Sequence, residues 1–449
     1  MSYKDFLFGT ETHPAWWKLG IVGIQYLIVF IPLIIYPILT LVGASTSPSL
    51  IINTISASLL SAAVTTFLIG RWRGFGGGYF LPITSATPLF AAALLAKQTG
   101  DLGLIFGMSL VSGIIVILMS LAIRYLKFIF NITLAGFITM LLGIWVAVLG
   151  VDALFFPSDL TPLLFHAPQH LNDAINTNQT IIGLIALAAM LVVRLSSPKK
   201  HRLYCLLYGS VIGWLIALIF GQIDSDKLSL LQSAPWLYYP HPFSFVGYHF
   251  STHLLLPYIL GGFLISLQVF SMFALIDLET QADTNALNLS RCSKGNFTTG
   301  IALLVSSLLG SPQAPNPAAF GAQYATGIYS RRVAYVVSLF ALLLSFSPKI
   351  SALFLTIPAA VRGVSILFLG SGMFMAGLEV VTLNKLNSYQ AMIFYLALLI
   401  GASFSIIPEF YTTTTVWIKG VTDPTFLIAV VTFIILNLFV LMRSRKSRK

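Results

Sequence analysis

The 449-residue chain is too apolar for a water-soluble fold. Hydrophobic residues make up 57% of it and charged residues 9%, with a mean hydropathy of +0.90, whereas soluble domains carry about 25% charged residues. The net charge of +11 does not indicate a nucleic-acid partner, because the Lys and Arg residues lie in short clusters between apolar stretches and at the C-terminus, a distribution that reports membrane topology.

The chain consists mainly of apolar stretches of about 20 residues, the length that crosses a ~30 Å hydrocarbon core at a rise of 1.5 Å per residue. We therefore predict an all-α polytopic membrane protein. The N-terminal residues to Lys18 lack the layout of a cleavable signal peptide, so we expect them to remain attached. The fourteen predicted segments are 17–43, 49–70, 78–97, 102–122, 128–151, 179–197, 203–222, 256–280, 296–310, 316–328, 333–347, 351–374, 388–407 and 424–442.

Clusters of Lys and Arg follow every second segment, as the positive-inside rule expects for cytoplasmic connections. The opposite connections carry mostly acidic and aromatic residues. We therefore predict an inner, cytoplasmic membrane location with both termini in the cytoplasm. The cationic clusters are Arg71 and Arg73; Arg124 and Lys127; Arg194, Lys199, Lys200 and Arg202; Arg291 and Lys294; Arg331 and Arg332; and Arg443, Arg445, Lys446, Arg448 and Lys449.

Fourteen segments divide into two sevens, and an odd number of spans per half makes the second half enter the membrane inverted. We predict repeats at 1–222 and 256–449, joined by an extracytoplasmic connection at 223–255. Segments 3 and 10, which are equivalent, both begin with Gly- and Pro-rich stretches, 74–82 and 310–317. Irregular backbone at membrane depth is tolerated where it lines a cavity. Each stretch is expected to lead into a half-helix whose amides attract electron-rich oxygens, unless it marks only a re-entrant turn or close packing.

Recognisable motifs lie along nearly the whole chain, most densely between residues 310 and 377. They are Thr326-Gly327-Ile328-Tyr329-Ser330-Arg331-Arg332-Val333, Pro348-Lys349, Ala352-Leu353, Ile357-Pro358, Val361, Gly363, Gly372-Met373 and Gly377, with Gln25-Tyr26, Gly78-Tyr79 and Leu81-Pro82 in the first half. Together they resemble the nucleobase–ascorbate transporter family, the xanthine/uracil permeases. The resemblance implies a core domain of segments 1–4 and 8–11, a gate domain of segments 5–7 and 12–14, and a homodimer. It also implies proton- or sodium-coupled transport of purines, pyrimidines or ascorbate.

The family has a characteristic Glu on segment 8, followed four residues later by Asp or His, and Glu279 and Asp283 match that pattern. Residues i and i+4 share a helix face, whereas Asp277 is turned about 200° from Glu279. A carboxylate can accept the ring N–H of a nucleobase and can take up and release a proton. We therefore predict that Glu279 binds substrate and that both acids carry the coupling proton. Hydropathy leaves open that the two acids are simply solvated at the end of segment 8.

Segment 10 departs from the family pattern. Ala318 and Ala319 occupy the positions where the family has Gln or Glu followed by Asn. An amide offers a donor and an acceptor together, so Gln313, Asn316 and Gln323 are candidates to replace the missing side chain. The substitution leaves open a different base or a solute that is not a base.

Other candidates complete the predicted site. Tyr79 and Phe80 are placed to contact a planar solute, although aromatic residues beside a glycine run also serve packing. Gln25 and Tyr26 are placed to reach the same cavity from segment 1, and Gly78 and Gly321 are expected to let the backbone approach the solute closely. We expect a proton as the coupling ion, with sodium as the alternative.

The sequence thus predicts a proton-coupled nucleobase symporter. An anion carrier of the sulfate-permease type and a membrane receptor that does not transport remain as alternatives. We find no zincin pair, Ser/His arrangement or nucleotide-binding loop that would indicate an enzyme. Cys205, Cys292 and the seven histidines suggest no disulfide framework, metal site or cofactor.

Overall fold

The structure of the chain is a computed structural model and is mostly helical. It describes residues 15–42, 48–71, 77–126, 129–156, 175–202, 204–242, 247–280, 287–383, 388–406 and 424–446. The first elements are α1 (Trp16–Val42), α2 (Pro48–Gly70), β1 (Ile83–Ser85), α3 (Phe90–Gln98), α4 (Leu102–Tyr125), α5 (Ile132–Phe155), α6 (Thr177–Ser196), α7 (Lys199–Arg202), α8 (Cys205–Ile219) and α9 (Ser225–Ser233). They are followed by α10 (Leu255–Thr280), α11 (Leu289–Leu308), β2 (Gln313–Pro315), α12 (Pro317–Thr326), α13 (Arg332–Ser345), α14 (Pro348–Leu355), α15 (Ala359–Leu383), α16 (Ser388–Ile406) and α17 (Pro424–Lys446).

Seven of the described helices are long and apolar enough to cross a membrane by themselves, namely α1, α2, α4, α5, α6, α10 and α15. Helices α13 and α14 meet at 108° and make an eighth crossing if they form one bent span. Shorter apolar helices lie in α8, α16 and α17. Because lipid offers no partner to backbone N–H and C=O groups, such stretches satisfy those groups within helices. The chain is a multi-pass membrane protein.

Short polar side chains mark where several helices begin. Asp101, Asn131 and Asn288 each accept a hydrogen bond from a backbone amide two or three residues later, at 2.8 to 3.1 Å. An N-cap oxygen of this kind satisfies an amide that the first helical turn leaves unpaired. The polar residues between apolar stretches therefore fix the starts of α4, α5 and α11.

The most extensive helix contact joins α5 to α15. Glycines make it close: a Cβ at Gly143 would lie 2.4 Å from the backbone N of Phe374, and a Cβ at Gly370 would lie 2.6 Å from the backbone N of Ala147. Small residues let helix backbones approach each other in membranes, where apolar burial gives no driving force between helices. The two helices therefore meet almost backbone to backbone.

Several other contacts pair a helix of one half of the chain with a helix of the other. Helix α4 packs on α11 and α2 packs on α13, while α10 packs on α4 and α1 packs on α13. Within each half, α6 packs on α8 and α16 packs on α17. The two halves are therefore interleaved rather than side by side.

Two short strands join the halves at their centre. β1 and β2 are antiparallel, and backbone bonds continue beyond them from Ala86 N to Pro312 O at 3.0 Å and from Asn316 N to Pro82 O at 3.3 Å. The helices after the strands, α3 with 9 residues and α12 with 10, are each about 15 Å long, half of a ~30 Å hydrocarbon core. The register pairs Ile83 with Pro315, Thr84 with Ala314, and Ser85 with Gln313.

The predicted start of segment 12 is wrong by eight residues. The apolar run from 351 contains the separate helix α14, which ends at Leu355, and α15 begins only at Ala359. Pro358 explains the break, because proline disfavours helical conformation in the residue before it and lacks the N–H that would continue a helix. Hydropathy merged two helices that the proline separates.

Candidate functional site

Phe80 is the centre of a buried group of side chains beside the strand pair. The ring of Tyr26, from α1, meets the Phe80 ring edge to face, with centroids 4.8 Å apart. The side-chain amide of Gln323, from α12, donates a hydrogen bond to the Phe80 carbonyl. All three residues are exposed by 2% or less. The structure therefore brings together predicted site residues from segments 1, 3 and 10.

The bond to Phe80 fixes the orientation of the Gln323 side chain. A carbonyl oxygen can only accept, so Nε2 faces Phe80 and Oε1 is left for another partner. Oε1 is buried and has no hydrogen-bond partner among the residues that the structure describes. An unpaired buried acceptor costs about 1–3 kcal/mol. Gln323 therefore presents an acceptor of fixed direction that the N–H of a ligand would satisfy.

Gln25 is a second buried amide with free hydrogen-bonding capacity. It is 1% exposed on α1, and within the described part of the chain neither its Oε1 nor its Nε2 has a partner. An amide in an apolar environment without partners is costly. Gln25 therefore offers both a donor and an acceptor.

The other two candidate amides have their donors committed to the strand region. Asn316 Nδ2 donates to Thr84 Oγ1 at 2.7 Å, and Gln313 Nε2 donates to Ser311 Oγ at 2.7 Å. All four residues are buried. The Asn316 bond stabilises the strand pair, and the Gln313 bond stabilises the residues just before β2. The sequence did not indicate the first bond, because Thr84 and Asn316 are far apart in the chain.

The two predicted glycines are under different constraints. Gly78 has φ of 75°, a left-handed conformation that side chains other than glycine rarely adopt. Gly321 belongs to α12 and packs against α15, where a Cβ added to it would be 2.1 Å from Leu369 O. Ala318 and Ala319 belong to α12, but their side chains lie outside the described part of the chain.

The predicted acids are only partly described. Glu279 lies in the last turn of α10, its side chain is outside the described residues, and so is the whole of Asp283. Their roles stay predictions. The neighbouring acid Asp277 is described: it is 2% exposed and accepts hydrogen bonds from Tyr79 Oη at 2.7 Å and Arg291 Nη1 at 2.8 Å.

Sequence reasoning missed this use of Arg291, because it treated the residue only as a marker of a cytoplasmic connection. It also set Asp277 aside, because that residue is turned away from Glu279. The available signal was an acid inside an apolar helix followed by an arginine at the start of the next helix. Tyr79 is thereby drawn towards Asp277 and not towards the group around Phe80.

A polar contact missed by the sequence joins α12 to α15. Tyr324 Oη donates to Glu379 Oε2 at 2.8 Å. Near it, a Cβ at Gly372 would lie 3.0 Å from Gly321 O. The half-length helix that carries Gln323 is therefore packed closely along α15.

The chain is similar in sequence to characterised permeases. The model of a permease family, Xan_ur_permease, matches residues 18–410. The xanthine permease XanQ of Escherichia coli strain K12 is 22% identical over 424 residues, covering 91% of this chain and 88% of XanQ. The xanthine permease XanP of the same strain is 23% identical over 453 residues, covering 97% and 94%. The uric acid permease PucJ of Bacillus subtilis strain 168 is 22% identical over 402 residues, covering 88% and 86%.

Solved structures of membrane transporters share the fold. The transmembrane domain of the cyanobacterium bicarbonate transporter BicA superposes with a TM-score of 0.51 at 15% identity, covering 96% of this chain and 100% of that domain. SLC26A9 superposes with a TM-score of 0.52 at 12% identity, covering 88% of this chain and 66% of SLC26A9. At sequence identities this low, the structural similarity shows a shared fold and nothing about function.

Proposed function

Because the chain belongs to the xanthine/uracil permease family, we propose that it is a secondary transporter that imports a nucleobase by proton symport. The proposed substrate is a purine such as xanthine, guanine or adenine, or uracil. The names of XanQ, XanP and PucJ, two xanthine permeases and a uric acid permease, support this class. The family and these relatives are permeases and not enzymes. They do not favour the anion-carrier alternative, to which the structural neighbours lend only their fold.

The proposed architecture is fourteen spans in two inverted sevens, with segments 3 and 10 each broken into a strand and a half-helix. Numbered by predicted segment, the helix contacts form three sets of two. In the first set segment 4 packs on segment 9, and segment 11 on segment 2; in the second, segment 8 packs on segment 4, and segment 1 on segment 11. In the third, segment 6 packs on segment 7, and segment 13 on segment 14. Adding or subtracting seven converts the first pair of each set into the second. Contacts related in this way are what a pseudo-twofold axis between repeats produces.

The proposed repeats are 1–222 and 256–449, joined by 223–255. We expect the core domain to move against the gate domain during transport, with both termini on the cytoplasmic side of an inner membrane. A homodimer is part of the proposal through the family alone.

One observation carries the assignment of the site, the fixed and unpaired acceptor of Gln323 beside Phe80. A uracil or xanthine ring has N–H groups next to carbonyl oxygens. One ring N–H can bond Gln323 Oε1, and an N–H and C=O pair can match the amide of Gln25. The aromatic rings of Tyr26 and Phe80 offer an apolar wall to a planar base. Gln323 thereby takes over the role of the Gln or Glu side chain that the family has at the position of Ala318.

We expect Gln323→Leu to raise the dissociation constant for the transported base about tenfold or more, because leucine has a similar size and no acceptor. Isothermal titration calorimetry on the purified protein would measure the change. Gln98→Leu, at the exposed end of α3, is the matched control and should bind as the wild type does. Equal affinity in Gln323→Leu and wild type would remove Gln323 from the site.

Uptake of labelled xanthine, uric acid, guanine, adenine and uracil tests the function itself. The assay uses cells that lack their own base permeases and express the full chain. We expect accumulation of at least one base, abolished by a protonophore and insensitive to replacement of sodium. Accumulation that requires sodium would change the coupling ion, and uptake of none of the bases would overturn the proposal.

A further inference from the structure

The buried Tyr79 and Asp277 form a polar group with the partly buried Arg291, here called the Asp277 cluster, where the chain approaches the first strand. Besides its bonds from Tyr79 and Arg291, Asp277 accepts a hydrogen bond at its second oxygen from the backbone N of Asn288 at 3.1 Å. The Arg291 guanidinium also donates to Tyr79 Oη and lies with its central carbon 5.2 Å from the centre of the Tyr79 ring. The hydroxyl of Tyr79 therefore uses one lone pair to accept a hydrogen bond from Arg291 and uses its proton to donate one to Asp277.

The cluster lies one peptide away from the proposed binding site. Tyr79 is held by the cluster, and the next residue, Phe80, gives its carbonyl to Gln323. Residues 77–82 are not helical, so helix hydrogen bonds do not fix the direction of the Phe80 carbonyl. On one side of Phe80 lies Tyr79, whose hydroxyl is bonded to Asp277, and on the other side the chain leads into β1.

We propose that Asp277 and Arg291 are positioning residues for the substrate site, acting through Tyr79 and the Phe80 carbonyl to aim the acceptor of Gln323. The inference rests on the proposed function for its link to substrate. It assigns to Asp277 a role distinct from that proposed for Glu279: Asp277 forms a salt bridge with Arg291 and orients the site, while Glu279 exchanges the coupling proton.

Stability alone is a weak explanation for the cluster. An ion pair with a buried partner such as Asp277 often contributes little net stability compared with apolar residues of the same size, because the buried charge loses its hydration. The cluster has a clear geometric effect, because three directed hydrogen bonds hold the Asp277 carboxylate in place and one of them comes from Tyr79. A positioning role therefore predicts changes in affinity in variants that still fold.

Tyr79→Phe is the most direct test, because it removes the hydroxyl and keeps the aromatic ring. The centre of that ring lies 5.9 Å from the centre of the Phe273 ring. We expect it to raise the KM for base uptake about fivefold and to leave the maximal rate and the amount of protein in the membrane unchanged. Tyr335→Phe on α13, whose side chain is 37% exposed, is the matched control. Asp277→Asn should raise KM further and also lower the yield of folded protein. An unchanged KM in Tyr79→Phe would overturn the proposal.

A double-mutant cycle separates positioning from general stabilisation. If Tyr79 acts through Gln323, Tyr79→Phe should have less than a twofold effect on KM in a Gln323→Leu background, because residues in one network are not additive. Fully additive effects would show that the cluster does not act through Gln323.

Thiol labelling tests the same idea without any substrate. Leu81→Cys is introduced into a chain whose buried cysteines, Cys205 and Cys292, are replaced by alanine. Leu81 is 1% exposed, so N-ethylmaleimide should react slowly, and at least threefold faster when Tyr79→Phe is added. Equal rates would overturn positioning even if bases are transported. A faster rate in a protein that takes up no base would support positioning and reject the proposed function.

Discussion

Replacing Gly321 with alanine should reduce base uptake roughly tenfold or more while leaving the protein in the membrane. A Cβ there would lie 2.1 Å from Leu369 O. This distance is far shorter than the closest approach of two non-bonded heavy atoms, so α12 must shift away from α15. Gln323 lies two residues further along α12 and would move with it. A shift that removes the hydrogen bond between Gln323 and the base, worth about 1.4 kcal/mol of binding free energy, would weaken binding about tenfold. Uptake of labelled base, corrected for protein by immunoblotting, measures the effect.

Two further glycines give the experiment a graded control. A Cβ at Gly20 would meet nothing within 4 Å, whereas a Cβ at Gly372 would lie 3.0 Å from Gly321 O. Gly20→Ala should therefore transport normally, and Gly372→Ala should be intermediate. Gly78→Ala should also impair binding, because its φ of 75° is strained for alanine. Normal uptake in Gly321→Ala would mean that α12 does not pack on α15 during transport.

Glu279→Gln should reduce accumulation of the base at least tenfold without loss of the protein from the membrane. Glutamine has nearly the same shape, but it neither carries a proton nor offers two anionic acceptors to ring N–H groups. Accumulation in energised cells measures coupling, and exchange of labelled for unlabelled base across the membrane measures binding and movement without net proton flow.

The two assays divide the roles assigned to Glu279. Loss of accumulation with exchange retained would restrict Glu279 to proton coupling, and loss of both would place it at the substrate as well. Asp226→Asn, at an exposed position in the first turn of α9, is the matched control and should behave as the wild type does. Wild-type accumulation in Glu279→Gln would remove Glu279 from the mechanism.

The long helices were predictable because lipid forces apolar stretches to satisfy their own backbone groups, and hydropathy reports such stretches directly. The match of the family over residues 18–410 confirms the resemblance drawn from the motifs. The boundary between α14 and α15 was missed because hydropathy averages across Pro358, which stops a helix without changing the apolar character of the run.

The sequence could propose positions for the candidate site, which stay predictions, but it could not propose the bonds between them. Gln323, Asn316 and Gln313 looked equivalent in sequence, since each is an amide near the same Gly/Pro stretch. The structure separates Asn316, which donates to Thr84, from Gln323, which donates to Phe80. Gln313 donates to its near neighbour Ser311 and, like Gln323, has a buried oxygen with no hydrogen-bond partner among the described residues. Arg291 was read as a topology marker, because a charge count cannot show that a guanidinium turns inward to an acid on the preceding helix.

The pairing of β1 with β2 also bears on how the chain is made. The residues that complete the ribbon, 313–315, are synthesised roughly 230 residues after β1, which takes on the order of 10–50 s at ribosomal speed. If β1 enters the membrane before β2 is made, its edge has no strand partner where unpaired peptide groups are costly. In that case the pairing of β1 with β2 completes the fold late in membrane insertion. Biogenesis, and not only transport, would then depend on the meeting of the two halves.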